Sequence, residues 1–231
     1  MLNIELSYTQ IIFVQNPSKI GIDEVFSSIL RDLIIKGVLQ LHRIKTLPTK
    51  RSKKVQKYFR FMKGQAYSGY EPLPFETSFL SPLEDIDQVQ PKVLTNYVLR
   101  NYSMPSAFIS KKIYAPLAKD KYISSIPVLK AFGFYSIKTN TKNMLTEVND
   151  FINTQEETLL SLINGDNSKF ISTMNETGSY VFMLEKKNPD LYKDIISMVN
   201  NIYKNQPLGA DNDLSNFMEA FSVNMSYFEE H

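Results

Sequence analysis

The strongest pattern in this chain is an amphipathic helix that ends at a glycine and is followed directly by strand-like sequence. Within residues 22–36 the apolar side chains recur three and four positions apart, which places them on one helical face. Asp23 and Glu24 lie in the first turn, where the helix dipole favours acids. Gly37 follows the last turn, where glycine adopts the left-handed conformation without a Cβ clash. One face of this helix must therefore be buried in the fold, and the helix must end at Gly37.

Beyond this helix the period changes to that of a β-hairpin. Residues 38–47 and 57–62 have strand composition, and the polar stretch PTKRSKKVQ between them predicts a loop. In the second run, Phe59 and Phe61 face one way, and Tyr58, Arg60 and Met62 face the other way. Helix, glycine, strand, loop and strand together resemble the general winged-helix pattern. A further helix of such a unit would come from residues 5–16, which fit a strand equally well.

A weaker pattern with the same order of helix, glycine and strand occurs later in the chain. The stretch LKAFGFYSI, around Gly133, repeats the order of LIIKGVLQL, around Gly37, at a distance of 96 residues. This resemblance predicts a second winged-helix-like unit within residues 83–140, with a helix that begins at Pro91. Glycine and prolines cluster in residues 68–82, which predicts a linker or an extended connection between the two units.

The last third of the chain has helical periodicity throughout. Residues 145–163 form an amphipathic stretch that includes Leu160, and Asn188 with Pro189 predicts the start of a helix that reaches Tyr203. A final helix is expected to begin at Asp211 or Asp213. The predicted fold is a mostly helical α+β protein with tandem winged-helix-like units and a helical C-terminal region. The predicted divisions, of which the last can pack as one body with the rest, are residues 1–67, 83–140 and 145–231.

Positive and negative charge are separated along the chain. Residues 1–144 carry 21 lysines and arginines against ten acids, a net charge of +11, whereas residues 145–231 carry five against 14, a net charge of −9. Such asymmetry is typical of two functional surfaces, or of two parts that attract each other. Both interpretations stay open at this point.

The residues from which common active sites are built are scarce. The chain has no cysteine, which removes disulfides, thiolate metal sites and thiol nucleophiles together. The two histidines are His42, on a predicted strand among cations, and the terminal His231, so a serine–histidine triad would depend on His42. The eight glycines form neither a dinucleotide-binding nor a P-loop motif. We therefore predict a non-enzymatic protein with no catalytic residues and no cofactor.

Two carboxylate pairs are the only candidates for a metal site. Asp85 and Asp87, together with Glu84, and Asp211 with Asp213 carry the hard oxygen ligands that Mg²⁺ and Ca²⁺ prefer. Both pairs stand beside predicted helix starts, where aspartate ordinarily caps free backbone N–H groups. We therefore predict no metal site.

The predicted hairpin is unusually basic. Residues 36–63 contain ten lysines and arginines and no acid, with three aromatic residues among the later cations. Such a loop suits contact with phosphates, because each phosphate that a cation neutralises releases condensed counterions. Lysine outnumbers arginine 21 to 5 in the chain, which favours point-charge contacts over base reading. The predicted contact residues are Arg43, Lys45, Lys50, Arg51, Lys53, Lys54, Lys57, Arg60 and Lys63.

The sequence thus predicts an intracellular binding protein that contacts the nucleic-acid backbone through a basic wing. The amino terminus lacks a signal peptide's basic region and long apolar core, and no apolar run approaches the roughly 20 residues that span a bilayer. We therefore expect a cytoplasmic protein that does not span a membrane. The alternatives are contact with an anionic membrane surface, pairing of the basic loop with the acidic third, and a protein-assembly or homodimerisation module that uses apolar helical faces.

Overall fold

The computed structural model describes residues 6–15, 20–46, 56–102, 104–124, 135–163, 165–205 and 214–223. It is mostly helical with a small antiparallel sheet, which confirms the predicted fold class at that level. In the first part of the chain the elements are α1 (Tyr8–Gln15), α2 (Ile22–Ile35), β1 (Leu39–Thr46), β2 (Gln56–Lys63), a 3₁₀ turn (Tyr67–Gly69), α3 (Thr77–Leu80), α4 (Pro82–Asp85), β3 (Gln88–Val89) and α5 (Pro91–Leu99).

The second part of the chain begins with a helix that is interrupted by a π-helical stretch. The elements are α6 (Pro105–Phe108), the π-helical Ile109–Tyr114, α7 (Ala115–Lys119), β4 (Ile123–Ser124), β5 (Ser136–Ile137), α8 (Thr139–Leu162), α9 (Asn167–Thr177), the 3₁₀ segment Gly178–Met183, α10 (Leu184–Lys187), α11 (Pro189–Asn205) and α12 (Ser215–Phe221). Among the described helices, none is both long enough and apolar enough to cross a bilayer.

Helix α2 ends in a Schellman motif, as Gly37 predicts. The Val38 N–H donates to the carbonyl of Leu33, and the Gly37 N–H donates to that of Ile34, both at 2.9 Å. Gly37 has a φ of +69°, in the left-handed region that costs other residues roughly 1–2 kcal/mol. The chain therefore turns sharply out of the helix and directly into β1.

A second glycine allows the backbone that follows β2 to pack closely against this turn. Strands β1 and β2 pair antiparallel. The Gly64 N–H then donates to the carbonyl of Val38 at 2.9 Å, and the Ala66 N–H donates to that of Gly37 at 3.0 Å. A Cβ atom at Gly64 would overlap the carbonyl oxygen of Gly37, so this close backbone approach requires glycine. Strand β3 adds to β2, which leaves β1 at the edge of the sheet.

The core surrounds α2. Nine of its 14 residues are buried, and it packs against α1 on one side and against α12 and the 3₁₀ segment Gly178–Met183 on others. Residues 68–82 do not form an extended connection, because Phe75 and Phe79 are buried in this core. The Phe79 ring packs edge-on against Phe26 of α2, with 4.9 Å between centroids. The predicted three-part division of the chain remains a prediction.

A buried ionic network crosses the core beside the end of α2. The Lys36 ammonium lies 2.8 Å from Asp32 Oδ2 and 3.5 Å from Glu76 Oε1, and both carboxylates are almost completely buried. The Tyr70 hydroxyl donates to Glu76 Oε2 at 2.9 Å. Burial alone would lower the pKa of Lys36, but the Asp32 and Glu76 carboxylates more than offset it and raise that pKa above its ordinary value. Two carboxylates thus share one ammonium group.

The same network joins distant parts of the chain. Ser179, in the 3₁₀ segment Gly178–Met183, donates to Asp32 Oδ1 at 2.6 Å. Thr9 of α1 lies within 3.5 Å of Asp32 Oδ2, and its hydroxyl also lies 3.3 Å from the Ser28 carbonyl. Asp32 therefore holds α1, α2 and the 3₁₀ segment to one point.

We expect Gly64→Ala to lower the free energy of unfolding by about 1–3 kcal/mol, the usual range for forcing extra volume into packed structure. Gly69→Ala is the matched control, because a Cβ atom there would meet no heavy atom within 4 Å. That variant should stay within about 0.5 kcal/mol of the wild type. Urea denaturation of the two variants measures the difference, and equal stability would show that the Gly37–Gly64 contact does not constrain the fold.

We expect Lys36→Met to destabilise the protein by about 2–3 kcal/mol, because it leaves two buried carboxylates without their cation. This is less than for a fully buried pair, since the Lys36 side chain is 32% exposed. Adding Glu76→Gln to Lys36→Met should restore part of the loss, as the number of unpaired charges falls. Urea denaturation of the single and double variants tests this, and a double variant less stable than Lys36→Met would contradict the shared-cation network.

Candidate functional site

On one face of the hairpin, the residues of β1 change from apolar to cationic between the base and the outer end. The buried pair Leu41–Phe61 is the last apolar one, and beyond it both strands carry cations. From base to outer end, the cross-strand pairs on this face are Leu39–Lys63, Leu41–Phe61, Arg43–Phe59 and Lys45–Lys57.

The opposite face carries the remaining polar residues of the hairpin. Its register confirms that Arg60 lies on the other face from Phe59 and Phe61. His42, the residue on which a catalytic triad would depend, is exposed and lies opposite Arg60. From base to outer end, the pairs on this face are Gln40–Met62, His42–Arg60, Ile44–Tyr58 and Thr46–Gln56.

The described cations of the hairpin make contacts with aromatic rings and hydroxyl groups. The exposed Arg43 guanidinium lies 5.3 Å from the centroid of the Phe59 ring, and its Nη2 donates to Ser222 Oγ at 3.4 Å. The exposed Lys63 ammonium lies 5.2 Å from the centroid of the Tyr67 ring. Such cation–π contacts hold a cation in place while leaving its charge available.

The other predicted contact residues differ in what the structure says of them. Arg60 is half-buried, and its Nε–H has no partner among the described residues. Lys45 and Lys57 are placed by the strand register. Lys50, Arg51, Lys53 and Lys54 lie outside the described residues. Lys36, the tenth cation of the basic stretch, belongs to the buried network and is not part of the hairpin surface.

As far as the described residues show, the acidic third of the chain contacts the hairpin at Leu41 and Arg43 of β1, through Glu219 and Ser222. Glu219 of α12 accepts a hydrogen bond from the Leu41 N–H at 2.6 Å and so covers the edge of β1. Among the described residues, the ion pairs between the two charge halves are Arg31–Glu185 and Glu24–Lys186, and neither involves a hairpin cation. The described cations of the hairpin are therefore not neutralised by the acidic third.

Opposing effects act on the pKa of Glu219. Burial raises the pKa of Glu219 above its ordinary value, while the Leu41 N–H and the charge of His42 act in the opposite direction. Nothing in the local sequence around Glu219 indicates this contact, because its partner lies 178 residues away.

Helix α2, which precedes the hairpin, is closed to a ligand as large as a duplex. Ser27 and Ser28 are buried, Arg31 pairs with Glu185 at 2.6 Å, and Asp32 accepts from Ser179. Entry of this helix into a groove would require the C-terminal part of the protein to unpack from it.

The candidate carboxylate pairs show no converging ligands where they are described. Asp85 ends α4, and both Asp85 and Asp87 are exposed. In the part of the chain that the structure describes, no three carboxylate or imidazole groups come together as a metal site requires. Asp211, Asp213 and His231 lie outside that part.

Comparisons of the chain with protein-family models, curated proteins and solved structures found no match. The chain is therefore described by its fold and its surface: a mostly helical α+β protein that carries a basic edge hairpin.

We expect the stability difference between the wild type and Glu219→Gln to shift with pH. Glutamine keeps an acceptor for the Leu41 N–H but removes the charge. Because the folded-state pKa of Glu219 is raised above 4.5, the native state binds this proton more tightly than the unfolded state does. The wild type therefore loses stability relative to the variant as pH rises from the ordinary glutamate pKa of about 4.3 through the raised folded-state pKa.

Chemical denaturation of both proteins across this pH range measures the difference. Glu219→Ala is the control for the hydrogen bond itself, and it should be less stable than Glu219→Gln by about 1 kcal/mol at every pH in this range. A wild type that gains stability relative to Glu219→Gln with rising pH would contradict the assigned effect of burial.

Proposed function

We propose that the protein is a non-enzymatic binding protein whose basic hairpin, β1 and β2 with the residues between them, contacts the phosphate backbone of nucleic acid. The observation that carries the proposal is the cationic face beyond Leu41–Phe61, where Lys45 lies opposite Lys57 and Arg43 is exposed beside them. Cations on both strands suit contact with phosphates, because each phosphate that a cation neutralises releases condensed counterions.

The enclosure of α2 supports contact that does not depend on base sequence. A winged helix reads bases by placing a helix in the major groove while the wing lies along the backbone. In this chain the helix before the hairpin is held by Glu185 and Ser179, which leaves the hairpin as the accessible part. Lysine and arginine contacts to phosphate set position and affinity but carry no sequence information. The expected ligand is therefore the backbone itself.

The winged-helix organisation is part of this proposal. The order of α2, Gly37, β1 and β2 supports a first unit of this kind. The second unit, predicted within residues 83–140, depends on the stretch around Gly133, and residues 125–134 lie outside the described residues. That unit, and its tandem arrangement with the first, remain predictions.

The decisive experiment is titration of a fluorescein-labelled DNA duplex with the full chain, followed by anisotropy at about 50 mM and about 200 mM salt. If the hairpin neutralises about three phosphates, affinity should fall roughly 40-fold between these salt concentrations. A scrambled duplex of the same length should bind equally well. Lys53→Glu with Lys54→Glu should weaken binding at low salt at least about tenfold. It should also reduce the slope of log affinity against log salt concentration by about two.

The matched control changes the same net charge at exposed lysines outside the hairpin. Lys119→Glu with Lys142→Glu reverses two such residues and should change affinity less than about threefold. Equal effects of the two double variants would mean that net charge alone drives binding. Absent or salt-independent binding of the wild type would refute the proposal.

Two further arms separate the alternatives. Vesicles that contain phosphatidylserine, compared with phosphatidylcholine vesicles, test an anionic membrane surface as the partner. Sedimentation across a range of concentrations tests self-association. Binding to the anionic vesicles without binding to duplex would replace the proposal with the membrane alternative. A concentration-dependent mass that the hairpin variants leave unchanged, without duplex binding, would favour the assembly module.

A further inference from the structure

A cleft away from the basic face of the hairpin lies where α1, α2, α8 and the 3₁₀ segment Gly178–Met183 meet. Its volume is about 560 Å³, within the roughly 300–1,000 Å³ that pockets for small molecules occupy. Glu185, Lys186 and Lys187 of α10 complete its wall. The cleft is therefore large enough for a small organic molecule and is formed by regular structure.

The walls of the cleft are mainly apolar, and its polar groups are few. Ile12, Ile152, Phe182 and Met183 line it from three different elements. Such a wall favours a ligand with a hydrocarbon or aromatic body, because binding removes the apolar surfaces of both the ligand and the cleft from water.

Two hydrogen-bond donors at the cleft lack partners. The hydroxyl of Tyr8 forms no hydrogen bond with another described residue. The Nε–H of Arg31 is buried and also has no partner, although its Nη1 pairs with Glu185 at 2.6 Å and its Nη2 donates to the Val223 carbonyl at 3.3 Å. Buried polar groups nearly always have partners, so the Arg31 Nε–H indicates a missing acceptor, and the Tyr8 hydroxyl is a second donor on the wall of the same cleft.

The chemistry of the donors favours an anionic acceptor. Burial raises the pKa of Tyr8 above its ordinary value, so its hydroxyl keeps its proton at neutral pH. The arginine guanidinium is always charged and bonds best to carboxylates. The charged groups that line the cleft are otherwise ion-paired, Arg31 with Glu185, Lys186 with Glu24 and Lys187 with Glu156, which leaves the Arg31 Nε–H for a ligand.

We propose that this cleft binds a small amphipathic carboxylic acid, whose apolar body packs against Ile12, Ile152 and Met183 and whose carboxylate accepts hydrogen bonds from Tyr8 and Arg31. The site is separate from the proposed backbone contact, because no hairpin residue that the structure describes lines it. Loss of either function therefore leaves the other to be tested independently.

The test uses decanoate and its uncharged counterpart decanol as probes, with isothermal titration calorimetry on the full chain. Decanoate should bind at least about tenfold more tightly than decanol, since decanol offers no charge to the unpaired donors. Tyr8→Phe removes one donor that supports no contact within the described fold. It should weaken decanoate binding about five- to tenfold and leave decanol binding within about twofold.

A second pair of variants tests the location. Met183→Trp narrows the cleft from a half-buried position and should abolish binding of both probes, with a melting temperature that confirms the fold. Lys53→Glu with Lys54→Glu, which changes only the hairpin, should leave decanoate binding unchanged. Equal affinity for decanol and decanoate, wild-type decanoate affinity in Tyr8→Phe or in folded Met183→Trp, or no binding of either probe would overturn the proposal.

Discussion

The buried carboxylate of Asp32 is the point on which the arrangement of the molecule depends. It accepts from Ser179 and shares the Lys36 ammonium with Glu76, so segments far apart in the sequence meet at a single charge. A buried ion without its partners costs several kcal/mol, whereas a satisfied network holds its elements in one geometry. The acidic third of the chain is thus held to α2 through a particular hydrogen bond as well as by its opposite net charge.

This anchoring decides which surfaces remain available. Because the C-terminal part closes over α2, the helix before the hairpin is occupied by internal contacts. Gly37 and Gly64 then direct both strands away from the packed helix, and the buried pairs stop at Leu41–Phe61. The same closure forms the wall of the cleft, since Arg31 reaches Glu185 across it. The two candidate surfaces therefore share one structural origin.

The parts of the fold that local physics determines were predictable from the sequence. The helix over residues 22–36 and both hairpin strands follow from side-chain period and a capping glycine, which act within a few residues. Leu160 and Tyr203 belong to apolar stripes but are exposed, because each stripe is wider than the surface it packs against. The roles of Glu219 and Ser179 were not predictable, since their partners lie 178 and 147 residues away. The cleft likewise exists only after such distant elements meet.

The position of β1 at the edge of the sheet gives its charge a second consequence. An edge strand offers unpaired backbone groups to the edge of another molecule, and lysine on such a strand opposes that pairing. Glu219 covers the edge at Leu41, and beyond it the cations themselves are the protection. Neutralising them removes a barrier to strand-to-strand aggregation along with any affinity for phosphate. Replacing these lysines with glutamate keeps charge on the strand, so the barrier to aggregation remains while phosphate binding is lost. Replacing them with alanine would remove both at once, and a loss of binding could then not be told from aggregation.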